Sequence, residues 1–127
     1  MKLLLLFFVL LLNEDLKAQF EGYIIIGREF DEVNYIMKDP CSSCYHNTIC
    51  FCYYHFKGGI GKLKVIERII SISDQSETIY SSEIVDVDPT WEYYWSYYTL
   101  PEGKYRIKIY DEEGNLIGFS LTFKILL

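Results

Sequence analysis

Short runs rich in isoleucine, valine, tyrosine and phenylalanine recur along this chain, each closed by a cluster of glycine, proline, aspartate, asparagine or serine. Punctuation of that kind predicts an all-β fold, a sandwich or a barrel. Strands are expected near residues 20–27, 33–38, 49–56, 62–72, 78–87, 91–98, 104–110 and 116–125. The run 62–72 ("KLKVIERIISI") also places Leu63, Val65, Ile66, Ile69 and Ile70 on one helical face. Its β-branched content favours a strand, with a bulge where the alternation slips at Ile66.

The cleanest alternation lies at the C-terminal end. Tyr105, Ile107 and Ile109 alternate with Lys104, Arg106 and Lys108; after "DEEGN", Ile117, Phe119, Leu121, Phe123 and Ile125 follow the same period. Two period-2 strands around a glycine-containing turn predict a hairpin. Its expected register sets Ile109 against Ile117, Ile107 against Phe119 and Tyr105 against Leu121, with every apolar residue on one face.

The opening residues break this rhythm. In "MKLLLLFFVLLLNEDLKAQF" a single lysine, Lys2, precedes an unbroken apolar run from Leu3 to Leu12, and a short polar stretch then ends at Ala18. That order is expected of a secretory signal peptide, residues 1–18, cut to leave Gln19 first. Ten apolar residues fall short of the roughly 20 needed to span a bilayer. The expectation is therefore an exported chain, secreted or periplasmic, with one domain at 19–127 and no membrane span in the mature part. Lys2, Lys17, Glu14 and Asp15 would leave together, so the net charge stays at −6. An acidic chain without a basic stripe is a poor ligand for nucleic acid or anionic lipid. About 109 residues remain, enough for one core that hides roughly 65% of the unfolded surface.

One stretch carries a resemblance. "LPEGKYRIKI", Leu100 to Ile109, resembles the entry to the penultimate strand of fibronectin type III and related immunoglobulin-like sandwiches, and the likeness runs mainly over residues 100–118. It implies an antiparallel β-sandwich in which the Tyr105 hydroxyl bonds back to backbone a few residues upstream. The same stretch is similar to the C-terminal sorting domains of type IX secretion cargo, which are also small sandwiches. Neither likeness implies an activity.

Candidate chemistry concentrates in "DPCSSCYHNTICFCYYHF", which holds all four cysteines and both histidines. Cys41 and Cys44 form a CxxC, and Cys50 and Cys52 a CxC on one face of a strand. Four thiolates suit tetrahedral zinc, but only five residues separate the two pairs, and His55 has the wrong parity to join Cys50 and Cys52. A reactive thiol is a second reading, with His46 beside Cys44, though no helix follows to stabilise a thiolate. In an oxidising compartment the reading of choice is disulfides. The pairing Cys44–Cys50 inside Cys41–Cys52 is favoured, with Cys41–Cys50 and Cys44–Cys52 next. No metal or other cofactor is expected.

The other candidate is "WEYYWSYY". On a strand, Trp91, Tyr93, Trp95 and Tyr97 share a face, with Tyr94 and Tyr98 on the other. Such a row either fills the core, as strand aromatics usually do, or stands outside to stack on sugars or anchor a protein. A mixed arrangement would put Tyr94 and Tyr98 outside. The acidic clusters at Asp86, Asp88 and Glu92 and at Asp111, Glu112 and Glu113 lack EF-hand spacing and read as turn chemistry. The sequence thus points to a non-enzymatic binding or structural module. A carbohydrate-binding module using residues 91–97 is one alternative, and a small thiol or metal protein centred on 41–55 another.

Overall fold

A computed structural model describes residues 20–74 and 76–127; the expected signal peptide lies outside the described residues. Among them the chain is all β, with no helix, and so none long and apolar enough to cross a membrane. Its strands are β1 (Gly22–Gly27), β2 (Glu29–Asp31), β3 (Ile36–Lys38), β4 (Ser43–Cys44), β5 (Thr48–His55), β6 (Lys64–Ser73), β7 (Ser76–Asp86), β8 (Tyr93–Thr99), β9 (Gly103–Tyr110), β10 (Leu116–Phe119) and β11 (Phe123–Ile125). One sheet has the order β1-β5-β8 and the other β4-β11-β9-β6-β7, with β10 also on β9; β2 and β3 pair by themselves. All pairs are antiparallel except β4 with β11.

The two sheets meet over one apolar cluster. Ile24, Ile49, Phe51, Tyr53 and Tyr94 come from the three-stranded sheet, and Val65, Ile69, Ile107, Ile109 and Phe123 from the larger one. Period-2 alternation explains the choice: β9 buries Tyr105, Ile107 and Ile109 and half-exposes the cations between them. The 62–72 run is a strand as expected, but its bulge falls between Ile69 and Ile70, opposite Tyr80 of β7, and not at Ile66.

Two expectations about strands are corrected. Residues 33–35 belong to a turn, in which Asp31 Oδ1 accepts from the backbone N–H groups of Val33 (2.9 Å) and Asn34 (3.2 Å). That turn joins the separate β2–β3 hairpin, whose β2 is too short to be read from a pattern.

The C-terminal hairpin starts in the expected register, Leu116 opposite Tyr110, and then slips to Gly118 opposite Ile109. The cause is Tyr53. A Cβ on residue 118 would lie 2.7 Å from its ring, so glycine faces inward there. The slip turns Phe119 and Leu121 outward, Leu121 to 83% exposure, and brings Ser120 inside. Ser120 Oγ accepts from the Ile107 N–H (2.9 Å), filling the gap in the ladder. By Phe123, now opposite Tyr105, the chain has slipped once more and Phe123 and Ile125 return to the core. At the other end of β9 the Tyr105 hydroxyl donates to the Pro101 carbonyl at 2.8 Å.

Candidate binding face on the three-stranded sheet

β5 is buried on both sides, and that decides what the cysteines do. Ile49, Phe51 and Tyr53 point into the main core; Cys50 and Cys52 point the other way, under Phe30 and Met37 of the β2–β3 hairpin. Cys44 sits in the main core. The sheet itself therefore stands between Cys44 and the CxC pair, and neither expected inter-pair connectivity can form. The bond present is Cys41–Cys44, with Cα atoms 5.4 Å apart, while Cys50 and Cys52 are free thiols. The bridge closes a loop of about four residues and removes only about 2 kcal/mol of unfolded-chain entropy. It shapes a crossing between the sheets: the Cys41 N–H donates to Ile26 O (3.1 Å), and the Lys124 N–H to Ser42 O (2.8 Å).

Burial pushes the Cys50 thiol up to about 11 and the Cys52 thiol up to about 12. Both are inert thiols at neutral pH. With Cys44 in a disulfide, the Cys44–His46 centre is likewise corrected: His46 Nδ1 instead lies 2.7 Å from Thr48 O. His55 Nδ1 lies 3.1 Å from the Tyr53 hydroxyl, and burial lowers its pKa.

β8 pairs with β5 in an unbroken register from Tyr93 opposite Tyr54 to Thr99 opposite Thr48. Tyr93, Trp95 and Tyr97 accordingly lie on the outer face with Tyr54, Cys52 and Cys50, and Trp91 precedes them. Trp91 and Tyr97 are 46% and 48% exposed; Tyr93 and Trp95 are half-buried. The mixed arrangement exists with its sides reversed. Tyr94 is buried in the core and Tyr98 packs against it.

The aromatic row also runs across the strands. Tyr23 of β1, Tyr54 of β5 and Tyr93 of β8 are opposite one another in register. Tyr23 and Tyr54 stack with centroids 5.2 Å apart, and the exposed Phe56 extends the stack beyond Tyr23 at 5.6 Å. Trp95 stacks on Phe30 at 4.8 Å and Tyr93 tilts against the same ring at 5.6 Å, so the hairpin covers the β8 end of the face and leaves Tyr23 exposed at the other. Tyr35, exposed at the hairpin turn, meets Tyr93 edge-on.

Sequence reasoning missed Glu67. It lies on β6 between the inward-facing Val65 and Ile69, 1% exposed, and accepts hydrogen bonds from Ser96 Oγ (3.1 Å) and the Tyr98 hydroxyl, both on β8. The buried Tyr94 hydroxyl faces the same carboxylate without meeting hydrogen-bond geometry. Burial raises the Glu67 pKa, and its hydroxyl donors pull it partly back. The signal was available: an acid at an inward position of a strand needs partners. Its effect is to tie the edge strand β8 to the opposite sheet. Asp88 and Asp111 do local work in turns, Asp88 Oδ1 accepting from Thr90 N–H (2.8 Å) and Asp111 Oδ1 from Asn115 N–H (2.8 Å).

Along the free edge of β8 runs a groove of about 490 Å³. Trp91, Tyr93 and Trp95 line one side, Val85 and Asp86 of the β7 end face them, and Glu92 and Ser96 contribute polar atoms.

No protein-family model matches this chain, and no curated protein matches it. Among solved structures, the soluble domain of PmoD from Methylocystis sp. (Rockwell) is similar over 81% of this chain and 89% of that one, at 10% identity and a TM-score of 0.49. A likeness of that degree carries no functional inference.

Proposed function

We propose that the chain is an exported, non-enzymatic binding module that takes a protein partner on the outer face of its three-stranded sheet. Its fold is read as an antiparallel β-sandwich of immunoglobulin-like or fibronectin type III-like kind behind a cleaved leader at 1–18. The strand order supports that fold: β1-β5-β8 opposes β7-β6-β9, with β10 and β11 both paired to β9, and the Tyr105–Pro101 bond sits where the resemblance puts a tyrosine corner. The apolar leader and the Cys41–Cys44 bridge support export.

The observation that carries the binding role is the outward tyrosine rank with its exposed neighbours Phe56, Tyr35 and Trp91. Aromatics with polar tips that are left uncovered on a sheet mark an interaction surface. A glycan is the second reading, resting on Trp91 and Tyr97. It is weaker because flat sugar stacking needs free ring faces. Trp95 is stacked on Phe30, and Tyr54 is close to parallel with Tyr23.

A glycan array and a displayed-peptide library, probed with the folded protein and with a Tyr23→Ala/Phe56→Ala variant, test this. Peptide binders that weaken in the variant are expected. Glycan hits that depend on Trp91 would replace the protein reading with the glycan one, and no binder in either format would overturn both.

A further inference from the structure

Among the described residues β8 is a sheet edge that lacks the usual protection. Edge strands are normally guarded by lysines, prolines, inward charges or bulges. The other long edge, β7, has such devices: a bulge at Tyr80, and Glu77, Glu83 and Asp86 along its length. β8 reads "YYWSYYT", with no charge and no proline, and pairs with β5 without a bulge. Its seven residues are anchored from beneath by the Glu67 bonds to Ser96 and Tyr98, so the edge is presented as a straight, fixed template.

The groove along this edge also has a definite charge. Asp86 and Glu92 stand at its rim, no basic side chain among the described residues lines it, and Trp91 and Trp95 supply aromatic walls. Lys64 approaches Asp86 only at 4.0 Å, and both side chains are largely exposed. The combination of indole faces and carboxylates suits a lysine or arginine side chain.

We propose that the free edge of β8 takes an extended basic segment of a partner protein as an added strand. Its backbone pairs with β8, and a lysine or arginine lies between Trp91 and the carboxylates of Asp86 and Glu92. This is strand addition: backbone pairing supplies affinity, and the groove selects alternate side chains. The inference rests on the binding reading above, and names the edge used and the partner's chemistry. A second copy of this chain fits less well, because it would bring the same acidic rim and a net charge of −6 to the same edge.

The test uses an acetylated, amidated peptide of alternating valine and lysine, its valine–glutamate counterpart, and two lysine peptides N-methylated at every second amide, one in each register. Both tryptophans lie at the groove, so indole fluorescence reports binding. The lysine peptide is expected to bind, and the glutamate peptide to bind at least about tenfold more weakly, with affinity falling as salt rises. N-methylation in the register that blocks pairing should abolish binding, and Trp91→Ala should weaken it about threefold to fivefold. Equal binding of the lysine and glutamate peptides, or of both N-methylated registers and the parent, would overturn the proposal. So would dimerisation of the protein that Tyr97→Lys abolishes without affecting the peptide. If N-methylation is harmless but Tyr23→Ala/Phe56→Ala lowers peptide affinity, strand addition fails while the outer face stands. If neither matters, both readings fail.

Discussion

The two sides of β5 are buried to the same degree by different means. Inward, Ile49, Phe51 and Tyr53 are sealed by a whole opposing sheet; outward, Cys50 and Cys52 are sealed by Phe30 and Met37 of a hairpin with three residues per strand, helped by flanking side chains of their own sheet such as Ile25 and Trp95. The inner layer is therefore structural, and the outer layer is a thin cover at one end of a face that is otherwise open. Zero solvent exposure does not distinguish the two; what stands above each layer does.

Cutting Phe51 to alanine should separate the layers most sharply. It leaves a cavity that the opposing sheet cannot fill, and a loss of about 3–5 kcal/mol is expected in urea unfolding. Phe30→Ala should cost less, about 1–3 kcal/mol, because the hairpin can settle onto the space. Its distinguishing sign is chemical. In the native protein Cys50 and Cys52 should resist alkylation, and unfolding without reductant should label two cysteines, leaving Cys41 and Cys44 bridged. Phe30→Ala should label those two in the folded state, whereas Phe51→Ala should label them only through unfolding. Four reactive thiols in protein purified without reductant would contradict the cysteine assignment.

Glu67→Gln probes the tie between the sheets. A carboxylate with a raised native pKa binds its proton more tightly when folded, so stability falls as pH rises from its ordinary 4.5 towards the raised value. The native protein should lose stability relative to the variant over that window, at no more than about 1.4 kcal/mol per pH unit, and the difference should level off above it. Unfolding curves from pH 4 to 8 measure it; parallel curves would mean that Glu67 is not held in the interior. Smallest of all, Trp91→Ala should change stability by no more than about 0.5 kcal/mol, since the ring packs on the surface.

Much of the fold was legible because alternation is a direct record of burial. β9 shows it, and so does the CxC pair, correctly placed on one face. Which face was not legible, since either side of β5 is apolar, and the sheet that separates Cys50 and Cys52 from Cys44 forms only when distant strands pair. β8 hid its orientation for the same reason: Trp91, Tyr93, Trp95 and Tyr97 are no more apolar than a core needs, and Tyr94 and Tyr98 no more polar than a surface allows. The decision lies with Glu67 across the core, which offers an acceptor to Ser96 and Tyr98. The slip at Gly118 was equally remote in origin, set by the Tyr53 ring on another sheet. Local pattern recorded the elements; long-range partners chose their faces.

The binding face exists only if Trp91, Tyr93, Trp95 and Tyr97 lie on the outer side of the three-stranded sheet. Acrylamide quenching of indole fluorescence in the folded protein, compared with Trp91→Phe, tests it most directly, because the chain has only two tryptophans. A readily quenched, red-shifted component that the variant lacks is expected, beside a less accessible remainder from Trp95 beneath Phe30. Emission that is blue-shifted and resistant to quencher until the protein unfolds would place the row in the core and contradict it.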